Sequence, residues 1–177
     1  MTTPRWFTWG PPRPQFVYPA GPPPRVAVVH ENLRVQRPGM TFHPQSHDLL
    51  DRLIRFRPNA FAGRHEVIAS LAAEPAVKSL NLRNAVIVFR EPGEAALDEC
   101  RRNELWRLFQ VPVFEQILSA EGDLIAYECE AHSGLHIGRA EAFPDTGLID
   151  TRRCECGDIA PRITSTVSKP KVRSAAA

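Results

Sequence analysis

The stretch NAVIVFREPGEAALDECRRNELWRLFQVPVFEQIL, residues 84–118, decides the fold class. Residues 84–90 and 111–118 are short apolar runs rich in β-branched side chains, which is typical of buried strands. Residues 95–109, which lie between the two runs, have the amphipathic pattern of a helix. A strand, a helix and a second strand in this order predict an α/β fold with parallel strand pairing.

Two further helices are predicted before this unit. Residues 46–57 place apolar side chains on one helical face, with Ser46 as the N-cap and Pro58 as the stop. Residues 63–75 predict the second helix. After Glu121 the chain has short apolar runs separated by glycine-containing turns, which predict antiparallel strands. The prediction is therefore an α/β domain with helices on a short mixed sheet and a C-terminal antiparallel β region.

Proline is concentrated at one end of the chain. Eight of the 17 prolines fall before residue 25, and each fixes φ near about −65° and removes an amide donor. We therefore predict an extended, proline-rich arm over residues 1–44, in which 25–35 alternate loosely and could form a strand or hairpin. The α/β domain then spans residues 45–163, and residues 164–177 form a disordered tail. The aromatic side chains of the arm either hold it on the domain or recognise a protein partner.

Charge and hydropathy exclude several classes of protein. The 22 basic and 20 acidic side chains leave a net charge of +2, which argues against a strongly basic nucleic-acid binder. There is no apolar run of about 18 residues, so no membrane span is predicted. The first 25 residues also lack the apolar region of a secretory signal. We expect a cytoplasmic protein, whose thiols stay reduced.

Three of the four cysteines lie close together in the sequence. Cys129 and His132 form one close pair, Cys154 and Cys156 form a second, and 21 residues lie between the two pairs. Two close pairs of soft ligands separated by a loop are typical of a tetrahedral structural zinc site. Three thiolates and one imidazole would fill all four positions and leave no place for a water. Such a site stabilises a fold and does not catalyse.

Alternatives remain at two of these positions. His136 competes with His132 as the fourth ligand. We favour His132 because a turn at residues 133–134 would leave it at the mouth of the turn. Without a metal, Cys129 would simply face the core, and Cys154 and Cys156 would be exposed thiols prone to oxidation.

The fourth cysteine belongs to the predicted helix over 95–109. We predict that Cys100 faces the core as an inert thiol, since a buried free cysteine behaves as a small apolar residue.

Four segments resemble the phenylacetate–coenzyme A ligase family of adenylate-forming enzymes. They are FEQILSAEGDLIAYECEAHSGLHI (114–137), LIDTRRCECGDIAPRI (148–163), LLDRLIRFRPNAFAGRHEVIASLAAE (49–74) and VIVFREPGEAALDECRRNELWRLFQVPVFE (86–115). The resemblance covers about residues 48–163. It implies a partial adenylate-forming core, in which the GEP-type loop follows a strand and the CxCG stretch lies near the end.

The resemblance also implies a role for Glu121, the counterpart of the acidic residue that helps to hold Mg–ATP in that family. Ile117, Leu118 and Ala120 depart from the aromatic, glycine and hydroxyl residues expected beside it. The family's phosphate loop and its catalytic lysine have no counterpart in these 177 residues. ATP and magnesium are therefore doubtful ligands, and we expect no complete adenylation by this chain alone.

These observations lead to a zinc-stabilised, non-catalytic binding or accessory protein as the first hypothesis. It would hold a small carboxylate or acyl ligand, or bind a protein partner through the arm, and a homodimer is expected from exposed apolar surface. The alternative is a split or divergent AMP-forming acyl-CoA ligase component that needs a partner chain. A zinc-ribbon-like nucleic-acid binder is disfavoured because acidic side chains surround the cysteines: Glu128, Glu130, Glu141, Asp150, Glu155 and Asp158.

Overall fold

The computed structural model describes residues 16–138 and 148–164. Residues 1–15 of the predicted arm and residues 165–177 of the predicted tail lie outside the described residues. The strands are β1 Val26–Val29, β2 Met40–Phe42, β3 Ala60–Arg64, β4 Ala85–Arg90, β5 Val113–Leu118, β6 Leu124–Glu128, β7 Leu135–Ile137, β8 Leu148–Asp150 and β9 Arg162–Thr164. The helices are α1 Leu49–Phe56, α2 His65–Ala72, a 3-10 helix Pro75–Leu80 and α3 Glu99–Phe109.

The described strands form one mixed sheet in the order β2-β1-β3-β4-β5-β6-β7-β9-β8. Strands β2, β1, β3, β4 and β5 pair in parallel, and β6 to β9 continue the sheet in antiparallel pairing. Strands β1, β3, β4 and β5 are runs of buried side chains because both faces of a parallel sheet are covered, whereas β2 at the edge buries only Phe42. The predicted α/β class and the predicted change from parallel to antiparallel pairing both agree with this sheet.

The direction of each crossover decides which face a connection covers. From β2 through β3, β4 and β5 the chain moves across the sheet in one direction, so right-handed crossovers place α1, α2 and α3 on one face. The step from β1 to β2 runs the opposite way. Its connection, which contains Leu33 and Val35, accordingly packs on the other face.

Side chains that alternate along the strands build two cores. On the helical face, Phe61, Val86 and Val88 pack against Leu53 and Ile68 of the helices. The opposite core is formed by side chains from β1, β3, β4 and β5 and is partly covered by residues 16–18. A much smaller cluster, made of Ile117, Ile125, Ala126 and Leu135, lies in the antiparallel part.

The structure corrects the predicted boundary of the arm. Strands β1 and β2 fall within the range assigned to an extended arm, and β1 lies inside the sheet between β2 and β3. The dense prolines end at Pro24, with only Pro38 and Pro44 later in the predicted arm, and the apolar run Val26–Val29 is buried along its whole length. The prediction of an extended arm therefore holds no further than the proline-rich residues 1–24, and the sheet begins at Val26.

Two further predictions change. The predicted helix over 63–75 begins only at His65, because Ala60–Arg64 forms strand β3 at the centre of the parallel pairs. The prediction that Cys100 faces the core is wrong: α3 begins at Glu99, and Cys100 lies in its exposed first turn. Within the part of the chain that the structure describes, no helix is long and apolar enough to cross a membrane.

Candidate metal centre

Four side chains from separate parts of the sequence meet in the antiparallel half of the sheet. The ligand atoms of Cys129, His136, Cys154 and Cys156 all lie within 4.8 Å of one another. The first three side chains are buried and Cys156 is half-buried. Three sulfur atoms and one imidazole nitrogen at this separation could hold one metal ion.

Strands β6 and β7 position the first two members. Cys129 directly follows β6, and His136 lies in the middle of β7, where it pairs with Tyr127. The chain reverses between them through a turn in which the His132 N–H donates to the Cys129 carbonyl over 3.0 Å. Gly134 has a φ of +123°, a conformation that favours glycine.

A tight loop between β8 and β9 positions the other two cysteines. The Gly157 N–H donates to the Cys154 carbonyl over 2.9 Å, and the Cys154 N–H donates to the Asp158 carbonyl over 3.0 Å. Gly157 has a φ of +91°, a turn conformation that favours glycine. The loop directs both thiols toward β6 and β7.

The spacing of the ligand atoms suits tetrahedral coordination. Bonds of about 2.3 Å from a zinc ion to sulfur give tetrahedral edges of about 3.8 Å. The Sγ atoms of Cys129 and Cys154 are 3.6 Å apart, and Cys156 Sγ is 3.5 Å from His136 Nε2. A disulfide would need sulfur atoms about 2.05 Å apart, and all four cysteines of the chain are free thiols.

The His136 ring is held with Nε2 toward the cysteines. Its Nδ1 donates to the Ala160 carbonyl over 3.3 Å, which leaves Nε2 with the lone pair that a metal ligand needs. The ring also stacks on Tyr127, with centroids 5.2 Å apart. The Tyr127 hydroxyl donates to Asp158, and this hydrogen bond is the main reason why the pKa of Asp158 lies below its ordinary value. These contacts orient the imidazole before any ligand binds.

The thiols of the cluster differ in ionisation. Burial is the main reason why the pKa of Cys129 rises to about 12. Burial also opposes ionisation of Cys154, but hydrogen bonds from the Cys156 N–H and Ser133 outweigh it and lower the pKa of Cys154 to about 6. Cys154 is therefore the thiol best prepared to act as a thiolate.

A buried arginine stands beside this thiolate. Arg162, on β9, donates from Nη1 to Cys154 Sγ over 3.3 Å and from Nη2 to Asp150 over 2.9 Å. Only 6% of Arg162 is exposed. A divalent ion with three thiolates and a neutral imidazole carries one net negative charge. The Arg162 guanidinium offsets that charge, and Asp150 holds the guanidinium in place.

The fourth member of the cluster differs from the sequence prediction. His132 lies outside the group, with its Nδ1 2.8 Å from Glu128 and its ring stacked on Phe114 at a centroid distance of 4.8 Å. In this turn His132 has a positive φ of +46°, and its side chain contacts Glu128 instead of the cysteines. His136, the competing residue, is brought in by the register of β6 and β7. Arg162, Tyr127 and Asp158 had no recognisable signal in the sequence.

Glu121 lies at a different place, in the exposed turn between β5 and β6. Its N–H donates to Ser119 Oγ over 3.2 Å. The adjacent Ala120 lines a small crevice of about 230 Å³ at the carboxyl ends of β1 and β3. Ile117 and Leu118 are buried in the apolar clusters and do not face this crevice.

The crevice lies where the strand order reverses, which is where open parallel sheets usually bind ligands. Arg64 ends β3 there and forms an ion pair with Glu91. His30 follows β1, and its Nδ1 accepts from the Asn32 N–H over 3.1 Å, so its proton lies on Nε2. Burial is the main reason why the pKa of His30 lies below its ordinary value, and the positive charge of Arg64 lowers it further. The crevice therefore combines a neutral imidazole with a guanidinium that is paired with Glu91, and Glu31 lines it as well.

Comparison with solved structures relates this fold to a ligase. An open conformation of 2-hydroxyisobutyryl-CoA ligase in complex with 2-HIB-AMP and CoA superposes with a TM-score of 0.55 over 80% of this chain, at 13% identity. The same ligase in its postadenylation state with R3-HIB-AMP gives 0.56 over 80% of the chain, also at 13% identity. No protein-family model and no curated protein sequence matches the chain.

This chain has the fold of part of that ligase. It spans less than half of the ligase, 44% in the open conformation and 43% in the postadenylation state.

Proposed function

We propose that this protein is a zinc-stabilised, non-catalytic binding domain of the adenylate-forming fold. The observation that carries the proposal is the buried cluster of three cysteines and His136, whose ligand atoms have tetrahedral spacing. Zinc suits this donor set because thiolate and imidazole are the ligands that it prefers. Four protein ligands leave no position for a reacting water, so the ion acts on stability.

Metal analysis tests this function. The purified full-length chain should contain about one zinc ion per molecule, because a Cys₃His set saturates a structural site. Cys154→Ser should lose the ion and unfold at lower temperature. Cys100→Ser is the matched control, since Cys100 is exposed and lies outside the cluster, and it should keep both zinc and stability. A zinc-free wild type that is equally stable before and after chelation would refute the proposal.

The crevice at the carboxyl ends of β1 and β3 is the proposed ligand site. A guanidinium and an imidazole N–H can hold a small carboxylate or acyl group. A thermal-shift screen of acyl and aryl acids should raise the melting temperature of the wild type for at least one acid. Arg64→Met should abolish that shift. The same shift in Arg64→Met would place the ligand elsewhere.

The second candidate is a component of an AMP-forming acyl-CoA ligase of the phenylacetate–coenzyme A type that works with a partner chain. The position of Glu121 next to the crevice favours it, because the resemblance assigns that carboxylate to Mg–ATP. ATP–pyrophosphate exchange with acyl or aryl acids, measured with and without co-purifying protein, distinguishes the two functions. If the wild type catalyses ATP–pyrophosphate exchange and Glu121→Gln does not, the protein is a ligase component. Acid binding without exchange under either condition supports the binding domain.

A further inference from the structure

A second cavity lies at the amino end of β5, at the opposite end of the parallel sheet from the crevice. It measures about 640 Å³ and is formed by α3, the start of β5 and the turn that follows β6. Its lining includes Trp106, Pro112 and Val113 as apolar walls and Arg102, Glu128 and His132 as polar groups, and it is called the Trp106 cavity below. Cavities of about 300–1,000 Å³ are typical of sites for small organic ligands.

The imidazole of His132 is held in one orientation in this cavity. Its Nδ1 lies 2.8 Å from Glu128, and its ring stacks on Phe114 with a centroid distance of 4.8 Å. Glu128 is itself only 7% exposed and is fixed by the Arg102 guanidinium at 3.1 Å and by the Glu115 N–H at 2.9 Å. Because a carboxylate only accepts hydrogen bonds, the Nδ1–H of His132 donates to Glu128 and Nε2 keeps its lone pair as an acceptor.

The Nε2 atom of His132 is open to a ligand. Within residues 16–138 and 148–164 it has no hydrogen-bond partner, and 42% of the side chain is exposed. The residue also has a φ of +46°, a conformation that few residues with a Cβ adopt. An oriented acceptor on such a backbone, in the lining of a cavity, is typical of a ligand-binding position.

Charge and shape limit what the Trp106 cavity can hold. The charges of Arg102 and Glu128 offset each other, so an anionic ligand would meet a buried carboxylate and a cationic ligand would meet a guanidinium. Half of the Trp106 surface is exposed and offers a flat apolar wall. The occupant should therefore be neutral and planar and should carry a polar hydrogen for Nε2. A phenol fits this description, since its pKa of about 10 leaves it uncharged at neutral pH.

We propose that the Trp106 cavity binds neutral phenols. The aromatic ring lies against Trp106, and the hydroxyl donates to Nε2 of His132. The Glu128 carboxylate makes Nε2 a stronger acceptor, because hydrogen bonds in a chain polarise one another. This site goes beyond the zinc-stabilised binding domain proposed above, and it is separate from both the Cys/His cluster and the crevice.

Isothermal titration calorimetry of the full-length chain tests the site with two probes. p-Cresol supplies the ring and the hydroxyl, whereas its methyl ether keeps the ring and lacks the polar hydrogen. p-Cresol should bind about tenfold more tightly than the ether, because the ether leaves Nε2 of His132 unpaired beneath an apolar group. This comparison uses the wild type and needs no substitution.

Variants locate the two contacts. His132→Phe keeps a ring against Phe114 but has no acceptor, so p-cresol and the ether should bind it equally. Trp106→Leu should weaken both probes about fivefold, because the stacking wall is lost. Arg107→Leu is the matched control, since Arg107 is exposed on the same helix outside the cavity lining, and it should bind both probes as the wild type does. Far-UV circular dichroism verifies that each variant is folded.

Four outcomes would overturn the proposal. Absence of p-cresol binding refutes the site, and equal affinity for p-cresol and the ether in the wild type refutes the hydrogen bond to His132. Loss of p-cresol binding in Arg64→Met but not in Trp106→Leu assigns the phenol to the crevice. Benzoate that displaces p-cresol and binds more tightly assigns the cavity to anions.

Discussion

At the scale of single residues, the choice between His132 and His136 shows how a metal site depends on strand register. Both histidines lie within seven residues of Cys129, and spacing alone favours the nearer one. The pairing of His136 with Tyr127 brings its Nε2 to 3.5 Å from Cys156 Sγ. His132 instead binds Glu128.

Substitution of the two histidines should therefore have opposite results. We expect His136→Ala to lower the zinc content well below one ion per chain, because the site loses a ligand. His132→Ala should keep the zinc. Metal analysis of both purified variants measures this directly. A cobalt-loaded chain supplies a second readout, since its visible spectrum changes when a ligand is lost. Loss of metal in His132→Ala alone would reverse the assignment.

Arg162 should tune the affinity of the site. Arg162→Gln removes the charge beside Cys154 and leaves Asp150 without its buried partner, while all four ligands stay in place. Loss of such an outer partner typically weakens metal binding about 10–100-fold. Competition with a chromophoric chelator measures the change. Arg107→Gln, at an exposed arginine of α3 outside the cluster, is the control and should bind zinc as the wild type does. An unchanged affinity in Arg162→Gln would show that its charge does not act on the metal.

At the scale of elements, the turn between β6 and β7 is fixed by contact with β9. A Cβ at Gly134 would lie 2.6 Å from the Ile163 carbonyl oxygen, which is backbone and cannot move away cheaply. Gly93 also has a positive φ, but a Cβ there meets nothing within 4 Å. Substitution of Gly93 therefore measures the cost of a positive φ alone. Substitution of Gly134 adds the steric clash with Ile163.

We expect Gly93→Ala to lower the free energy of unfolding by about 1 kcal/mol, the usual cost of a positive φ for a residue with a Cβ. Gly134→Ala should lower it by about 3 kcal/mol or more and should also weaken zinc binding, because β7 carries His136. Urea denaturation of the zinc-loaded variants measures both. Equal effects would mean that β9 shifts to accept the extra methyl group.

At the scale of the whole molecule, the two halves of the sheet are stabilised differently. The parallel half has two large apolar cores, whereas among the described residues the antiparallel half adds a small cluster around Ile117 and Ile125. We expect strands β7, β8 and β9 to depend on the zinc ion proposed for the Cys/His cluster, because so little apolar surface is buried there.

Chelation should therefore open one half of the molecule and leave the other intact. We expect hydrogen exchange to accelerate in β7 and β9 after zinc removal, while amides of β3 and β4 stay protected. Exchange followed by mass spectrometry of peptides resolves the two regions. Readdition of zinc should restore protection, which separates reversible opening from aggregation. Uniform loss of protection would show that the sheet unfolds as one unit.

The α/β class could be predicted from the amino-acid sequence, because the apolar run over 86–89 and the amphipathic stretch before Val113 are local patterns. The sequence also identified the three cysteines, since soft ligands at short spacing have few other uses. It did not predict β3, whose small side chains around Ala62 have no strand-like periodicity. The burial of those side chains comes entirely from their neighbours.

Three features came from the folded structure and not from local patterns: the fourth member of the cluster, the charged partner of the thiols and the end of the proline-rich arm. Each depends on a contact between residues far apart in the chain. His136 is placed by strand register, Arg162 by the pairing of β9 with β7, and Val26–Val29 by burial between β2 and β3. Local sequence patterns specify which elements form, but the assembled sheet determines which side chains meet.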